Sequence, residues 1–171
     1  MFKSVRLLLA SMLGVALVTA CSPPPPAGSS SAPQAAGKTT VDVVELPATE
    51  ALRRMAAGTL TSRALTQAYL DRIAAIDDAG PTLDAVVDLN PQALDDAAKL
   101  DAERSAGALR GPLHGLPVLL KDNIDVAGMV NSAGSMALAQ NRPARDAFLV
   151  ARLRAAGAVI LGRTNLSEWA N

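Results

Sequence analysis

Lys121 is the residue of this chain best placed to become a base. It closes an apolar run, Val118-Leu119-Leu120, that follows a loop punctuated by glycine and proline. A run of this kind reads as a short buried strand. An ammonium at the end of such a strand is costly to desolvate unless it is paired or loses its proton. The other lysines stand elsewhere: Lys3 in an apolar leader, Lys38 in a linker and Lys99 on a polar helix face. A free lysine amine titrates near a pH of about 10.4, so a lysine base must be held neutral by its surroundings. The competing role is a strand-end lysine that reaches out to water and pairs with Asp122 or Asp125.

The remaining polar residues offer less. A Ser-x-x-Lys arrangement around Lys121 is excluded, because position 118 is Val118. Ser132 and Ser135 are candidates for lining a substrate pocket, with hydrogen bonding to their own loop as the alternative. His114 is the single histidine; it sits in a turn between Leu113 and Gly115 with no acid beside it, so a loop hydrogen bond is expected rather than a histidine-based triad. Asp95, Asp96, Asp101 and Glu103 form two acidic pairs without histidine or cysteine nearby, which fits a solvated helix face better than a metal site. No metal and no cofactor are expected.

The elements that must position Lys121 follow from periodicity and punctuation. Pro47 to Ala57 reads as a helix ended by Gly58. Thr61 or Ser62 caps the next helix, with Leu65, Tyr69, Ile73 and Ile76 on its apolar face and Gly80-Pro81 as its stop. Leu83 to Leu89 reads as a strand, and Asn90-Pro91 opens a helix that Gly107 ends. After the Lys121 strand, Val126 to Arg145 is irregular and longer than a compact domain usually leaves without function. Asp146 can cap a helix carrying Phe148, Leu149, Leu153 and Ala156, which Gly157 ends before a strand from Ala158 to Leu161. Strand, crossover helix and strand make a βαβ unit, implying parallel pairing and a right-handed connection. Asn165 and Glu168 have capping-box spacing and predict one more helix.

Composition sets the frame. The chain has 171 residues, 50% of them hydrophobic, and no formal net charge, which suits one domain with a sizeable core. Balanced charge and 2% aromatics give no case for a nucleic-acid partner. Lys3 and Arg6 precede an apolar segment, Leu7 to Ala20, that is short for a bilayer span, so residues 1–20 read as a signal peptide. Val18-Thr19-Ala20-Cys21 resembles a bacterial lipobox, which makes Cys21 the expected lipidation site and the membrane a partner through that anchor. Ser22 at the next position favours the outer membrane, facing the periplasm. Residues 21–40, rich in proline, serine and alanine, read as a disordered tether. Cys21 is the single cysteine, so no internal disulfide can form.

Two segments together carry a family resemblance. They are Gly111-Pro-Leu-His-Gly-Leu-Pro-Val-Leu-Leu-Lys-Asp-Asn-Ile-Asp125 and Gly157-Ala-Val-Ile-Leu-Gly-Arg-Thr-Asn-Leu-Ser-Glu-Trp-Ala-Asn171. The chain from about Pro47 onward resembles the amidase signature family, serine hydrolases that cleave carboxylic amides with a Ser–Ser–Lys triad. The resemblance implies an α/β fold, a mixed β-sheet covered by helices, of which residues 41–171 supply the N-terminal part. It implies that Lys121 is the triad lysine and general base. It also implies a small-molecule or peptide amide as substrate. The family's glycine- and serine-rich segment would supply the other two triad residues. No Gly-Ser-Ser-Gly-type run follows Asn165, so these serines are expected beyond Asn171 and the 171 residues are expected to be inactive alone. Two rival readings are a non-catalytic truncated product or binding module, and the amidase-like component of a tRNA-dependent amidotransferase. The leader and Cys21 argue against the latter, which works in the cytoplasm.

Overall fold

The computed structural model describes residues 41–170. The expectations for the leader, the tether and Cys21 therefore lie outside the described residues. Helix α1 (Ala48–Ala56) carries Glu50 in its first turn and Arg53 and Arg54 in its last, as the helix dipole favours. Its buried Ala51 and Met55 pack with Leu60, Leu65 and Leu116. Helix α2 (Ser62–Arg72) is capped by Thr61, whose hydroxyl accepts from the Ala64 N–H at 3.0 Å. Asp101 adds a second cap from outside, accepting from the N–H groups of Ser62 at 2.7 Å and Arg63 at 2.9 Å. One of the acids expected on a solvated face is thus committed to a helix terminus.

The end of α2 relaxes into a π-helical turn, Ile73–Asp78. The wider turn brings Asp77 inward, where its carboxylate accepts from Ala85 N at 2.8 Å and Val86 N at 3.0 Å. Strand β1 (Val86–Leu89) is shorter than the expected Leu83 start. Thr82 and Asp84 have φ of 52° and 53°, left-handed values that an extended strand cannot contain. Helix α3 runs from Ala93 to Ser105 and not from Pro91. Asn90 instead holds the turn before it, donating to Ile160 O at 2.8 Å and accepting from Gln92 N at 3.0 Å.

The βαβ unit is present. Strand β2 (Pro117–Lys121) and strand β3 (Val159–Thr164) pair in parallel, connected through helix α4 (Phe148–Ala155). Strand β1 joins β3 on its other side, antiparallel, giving a mixed sheet of order β1-β3-β2. The central strand β3 is buried on both faces, as its nearly unbroken apolar run requires. Val159 and Leu161 pack with Ala93, Ala97 and Leu100 of α3. Ile160 packs on the other side with Leu120, Val126, Met129 and Val150. The expected α4 face is only partly used: Leu153 packs half-buried against this cluster, whereas Phe148 and Leu149 are exposed, and Val150, outside the expected positions, is the buried residue. Asp146 does not cap α4 with its side chain; it accepts from Ala127 N at 2.8 Å and Arg154 Nε at 3.0 Å.

Candidate active site

Lys121 ends β2, its Cα in register with Thr164 of β3. Side chains alternate across a strand, and the burial follows: Leu120 and Asp122 are buried, Lys121 and Asn123 exposed. The apolar strand end is one element that could contribute to desolvating Lys121. It desolvates its neighbours instead, because the alternation sends the lysine to the opposite side. The competing role, a pairing of Lys121 with Asp122 or Asp125, is absent among the described residues. Asp122 is taken by Arg163, whose Nη1 lies 2.6 Å from Oδ1. Asp125 accepts from the Asn131 side-chain amide.

Ser132 and Ser135 each have a specific partner. The Ser132 hydroxyl donates to Asp122 Oδ2, and the Gly134 N–H donates to the same oxygen at 3.2 Å. The Ser135 hydroxyl is buried and donates to Glu168 Oε1 at 2.7 Å. Neither reaches Lys121 among the described residues. Ser132 does line an open cleft of about 530 Å³, together with Asp88, Met129, Val130, Arg142 and Arg163. Neither Ser135 nor Lys121 is part of that lining.

The expected final helix does not form as a capping box. Glu168 is occupied by Ser135, Asn165 accepts from Leu166 N at 2.8 Å, and Glu168–Ala170 is a single distorted turn with Trp169 at φ 57°. The two loops beyond β2 and β3 touch closely here. Trp169 N donates to Ala133 O at 3.0 Å, and a Cβ on Gly134 (φ +71°) would stand 2.3 Å from Leu166 O. This contact excludes any side chain at position 134.

His114 takes the loop role expected of it. It is 2% exposed; Nδ1 accepts from Arg110 N at 3.1 Å, which leaves Nε2 to carry the proton and donate to Leu100 O at 2.9 Å. Gly157 must approach it without a side chain, since a Cβ there would lie 2.7 Å from His114 Cα. Both ring nitrogens are spent, so the imidazole has no free group for catalysis.

Arg163 was not singled out from the sequence, and Asp122 was named only as a possible partner of Lys121. The signal was available in Ala158-Val-Ile-Leu-Gly-Arg163, a charge closing an apolar strand, which is the pattern that marked Lys121. The Amidase family model matches residues 64–171. The chain belongs to the amidase signature family. Its β2 and β3 segments are therefore part of a shared architecture. A peptide amidase structure from Stenotrophomonas maltophilia superimposes with a TM-score of 0.72 at 62% identity, over 74% of this chain and 26% of that one. A putative amidase of Schizosaccharomyces pombe is 44% identical over 115 residues, 67% of this chain and 19% of the relative. A glutamyl-tRNA(Gln) amidotransferase component from Salinispora arenicola is 44% identical over 130 residues, 75% of this chain and 26% of that protein. The chain thus spans about a fifth to a quarter of the length of these relatives.

Proposed function

We propose that this chain is the N-terminal part of an amide hydrolase acting on peptide amides, with Lys121 as its general base. The observation that carries this reading is the position of Lys121 at the C-terminal end of β2, exposed and without a partner among the described residues, in a chain 62% identical to a peptide amidase over the superimposed region. An ion pair would hold the lysine in its protonated form, which cannot take a proton from a serine; Lys121 has no such pair among the described residues. Residues beyond Asn171 would supply the bridging and nucleophilic serines and desolvate the amine. Neutral Lys121 would then accept the proton of the bridging serine, which deprotonates the nucleophile as it attacks the amide carbonyl. The proton returns along the same path to the leaving ammonia, and water hydrolyses the acyl-enzyme to the acid.

Ser132 is proposed to help shape the substrate side of the 128–142 loop, and Ser135 to hold that loop to Glu168. The second reading, a component of an amidotransferase, is favoured by the 44% identity to such a protein. The leader and Cys21 favour the hydrolase, placed by its lipid anchor at the outer membrane. Metabolic labelling with a palmitate analogue tests that anchor: label is expected on the wild type and lost in Cys21→Ala, and an unlabelled soluble wild type refutes it.

The catalytic reading is tested in the protein expressed at full length. Lys121→Ala is expected to lower kcat by about three orders of magnitude or more with Tm nearly unchanged, because the side chain supports no ion pair or hydrogen bond among the described residues. Lys121→Arg is expected to be nearly as inactive, since a guanidinium keeps its proton. Substantial turnover by Lys121→Arg would remove Lys121 as the base.

A further inference from the structure

Asp122 is 1% exposed and directly follows Lys121. Three parts of the chain converge on it. Its carboxylate meets the guanidinium of Arg163 from β3, at 2.6 Å, and accepts from the Ser132 hydroxyl and the N–H groups of Ser132 at 3.3 Å and Gly134 at 3.2 Å. Its own N–H donates to Thr164 O at 3.1 Å, and its carbonyl accepts from Ala133 N at 3.1 Å. Arg163 is equally enclosed, at 2% exposure, with Asp88 Oδ2 at 3.4 Å as its second anion. Its Nη1 is close to Asp122 but not aimed along a hydrogen bond, and its Nε has no acceptor among the described residues. The short approach is therefore an ion contact, not a directed hydrogen bond.

Burying such a pair is expensive, and well-packed apolar residues would often stabilise a fold as well. The pair does supply register. Lys121 has no side-chain partner among the described residues, which aim its amine through its backbone alone. That backbone is fixed one residue later, where Asp122 ties the end of β2 to the end of β3 and to the 131–135 loop. We propose that Asp122, paired with Arg163, is a positioning residue that sets the direction of the Lys121 amine for proton transfer. The inference rests on the reading of Lys121 as the base.

The test uses the full-length enzyme and a peptide amide substrate. Asp122→Asn keeps the shape and removes the charge opposite Arg163. A base displaced by about an ångström loses on the order of 100-fold in rate, so kcat is expected to fall by about that factor with KM within about twofold. Arg163→Met is expected to reproduce the loss, and the double variant to be no worse than either alone, as for two halves of one device. Arg163→Lys restores a cation opposite Asp122, where a single nitrogen makes the contact, and is expected to keep kcat within about tenfold of wild type. Should Asp122→Asn not accumulate as folded protein, the Met and Lys variants at position 163 carry the same comparison. Wild-type kcat in Asp122→Asn with a lowered Tm, or a loss confined to KM, overturns the proposal. If Lys121→Ala is inactive while Asp122→Asn turns over normally, this inference alone fails. If Lys121→Ala is active, the reading of the base fails first.

Discussion

The two ends of β2 carry the two residues with the most obvious acid–base capacity, and they are treated in opposite ways. At the N-terminal end His114 is enclosed, with both ring nitrogens and its carbonyl bonded; the carbonyl accepts from Arg104 Nη2 at 2.7 Å. The adjoining Gly115 donates to Gly157 O at 2.7 Å and accepts from Ser62 Oγ at 2.7 Å. At the C-terminal end the ionisable side chain is left exposed, and the fixed points are its neighbours. A titratable group whose every donor and acceptor is satisfied is a strut. One held by its backbone while its side chain stays free can still move a proton.

The largest expected effects separate the two ends by their readouts. Substitution of Lys121 is expected to abolish turnover and leave folding almost intact. His114→Ala is expected to do the reverse. It opens a cavity and strands the Leu100 carbonyl and the Arg110 N–H, so a loss of about 3 kcal/mol in stability is expected. The kcat of the molecules that remain folded is expected to be unchanged. Chemical denaturation beside active-site-titrated kinetics checks both halves. A His114→Ala enzyme that is stable but inactive would show that the N-terminal end of β2 also takes part in the chemistry.

Much of this was legible in the sequence because it depends on local periodicity. The βαβ unit followed from an apolar run, a helical repeat and a second apolar run, and β2 and β3 are parallel neighbours as that order requires. Lys121 stood out as a candidate because a charge closing an apolar strand is conspicuous, and its role as a base was implied by the family resemblance. What escaped was non-local. Asp101 lies 38 and 39 positions from the N–H groups it caps, and Arg163 lies in β3, whereas the Asp122 it meets lies in the turn after β2. Glu168 has the spacing of a capping box, yet Ser135 lies 33 positions away and takes its carboxylate. Spacing names a possible partner; only tertiary placement decides between partners. The strand at Leu83 failed for a backbone reason, since the left-handed turns at Thr82 and Asp84 have no glycine to announce them.

The smallest expected effect concerns the surface of the His114 end. Arg110, whose N–H holds His114 Nδ1, also grips Glu103: its Nε donates to Oε2 at 2.7 Å and its Nη2 to Oε1. That hydrogen-bonded guanidinium, with its charge, holds the Glu103 carboxyl below its ordinary value, and the carboxylate holds Arg110 above its own. Arg110 stays charged throughout the accessible range, so Glu103 sets the pH dependence. A lowered folded-state value means the unfolded chain binds the proton more readily. The contribution is thus present above the unfolded carboxyl value of about 4.3 and is lost as pH falls through the lower folded value. Both side chains are partly in solvent, so screening keeps the effect small. Glu103→Gln is expected to melt slightly below wild type at pH 7, with the difference closing below pH of about 4 and shrinking in high salt. A difference that persists in acid would mean that Glu103 supports the Arg110–His114 loop through shape rather than charge. The Arg110–His114 loop would then be held without help from the ionisation of Glu103, in contrast to the other end of β2, where the proposed role of Lys121 depends on its protonation state.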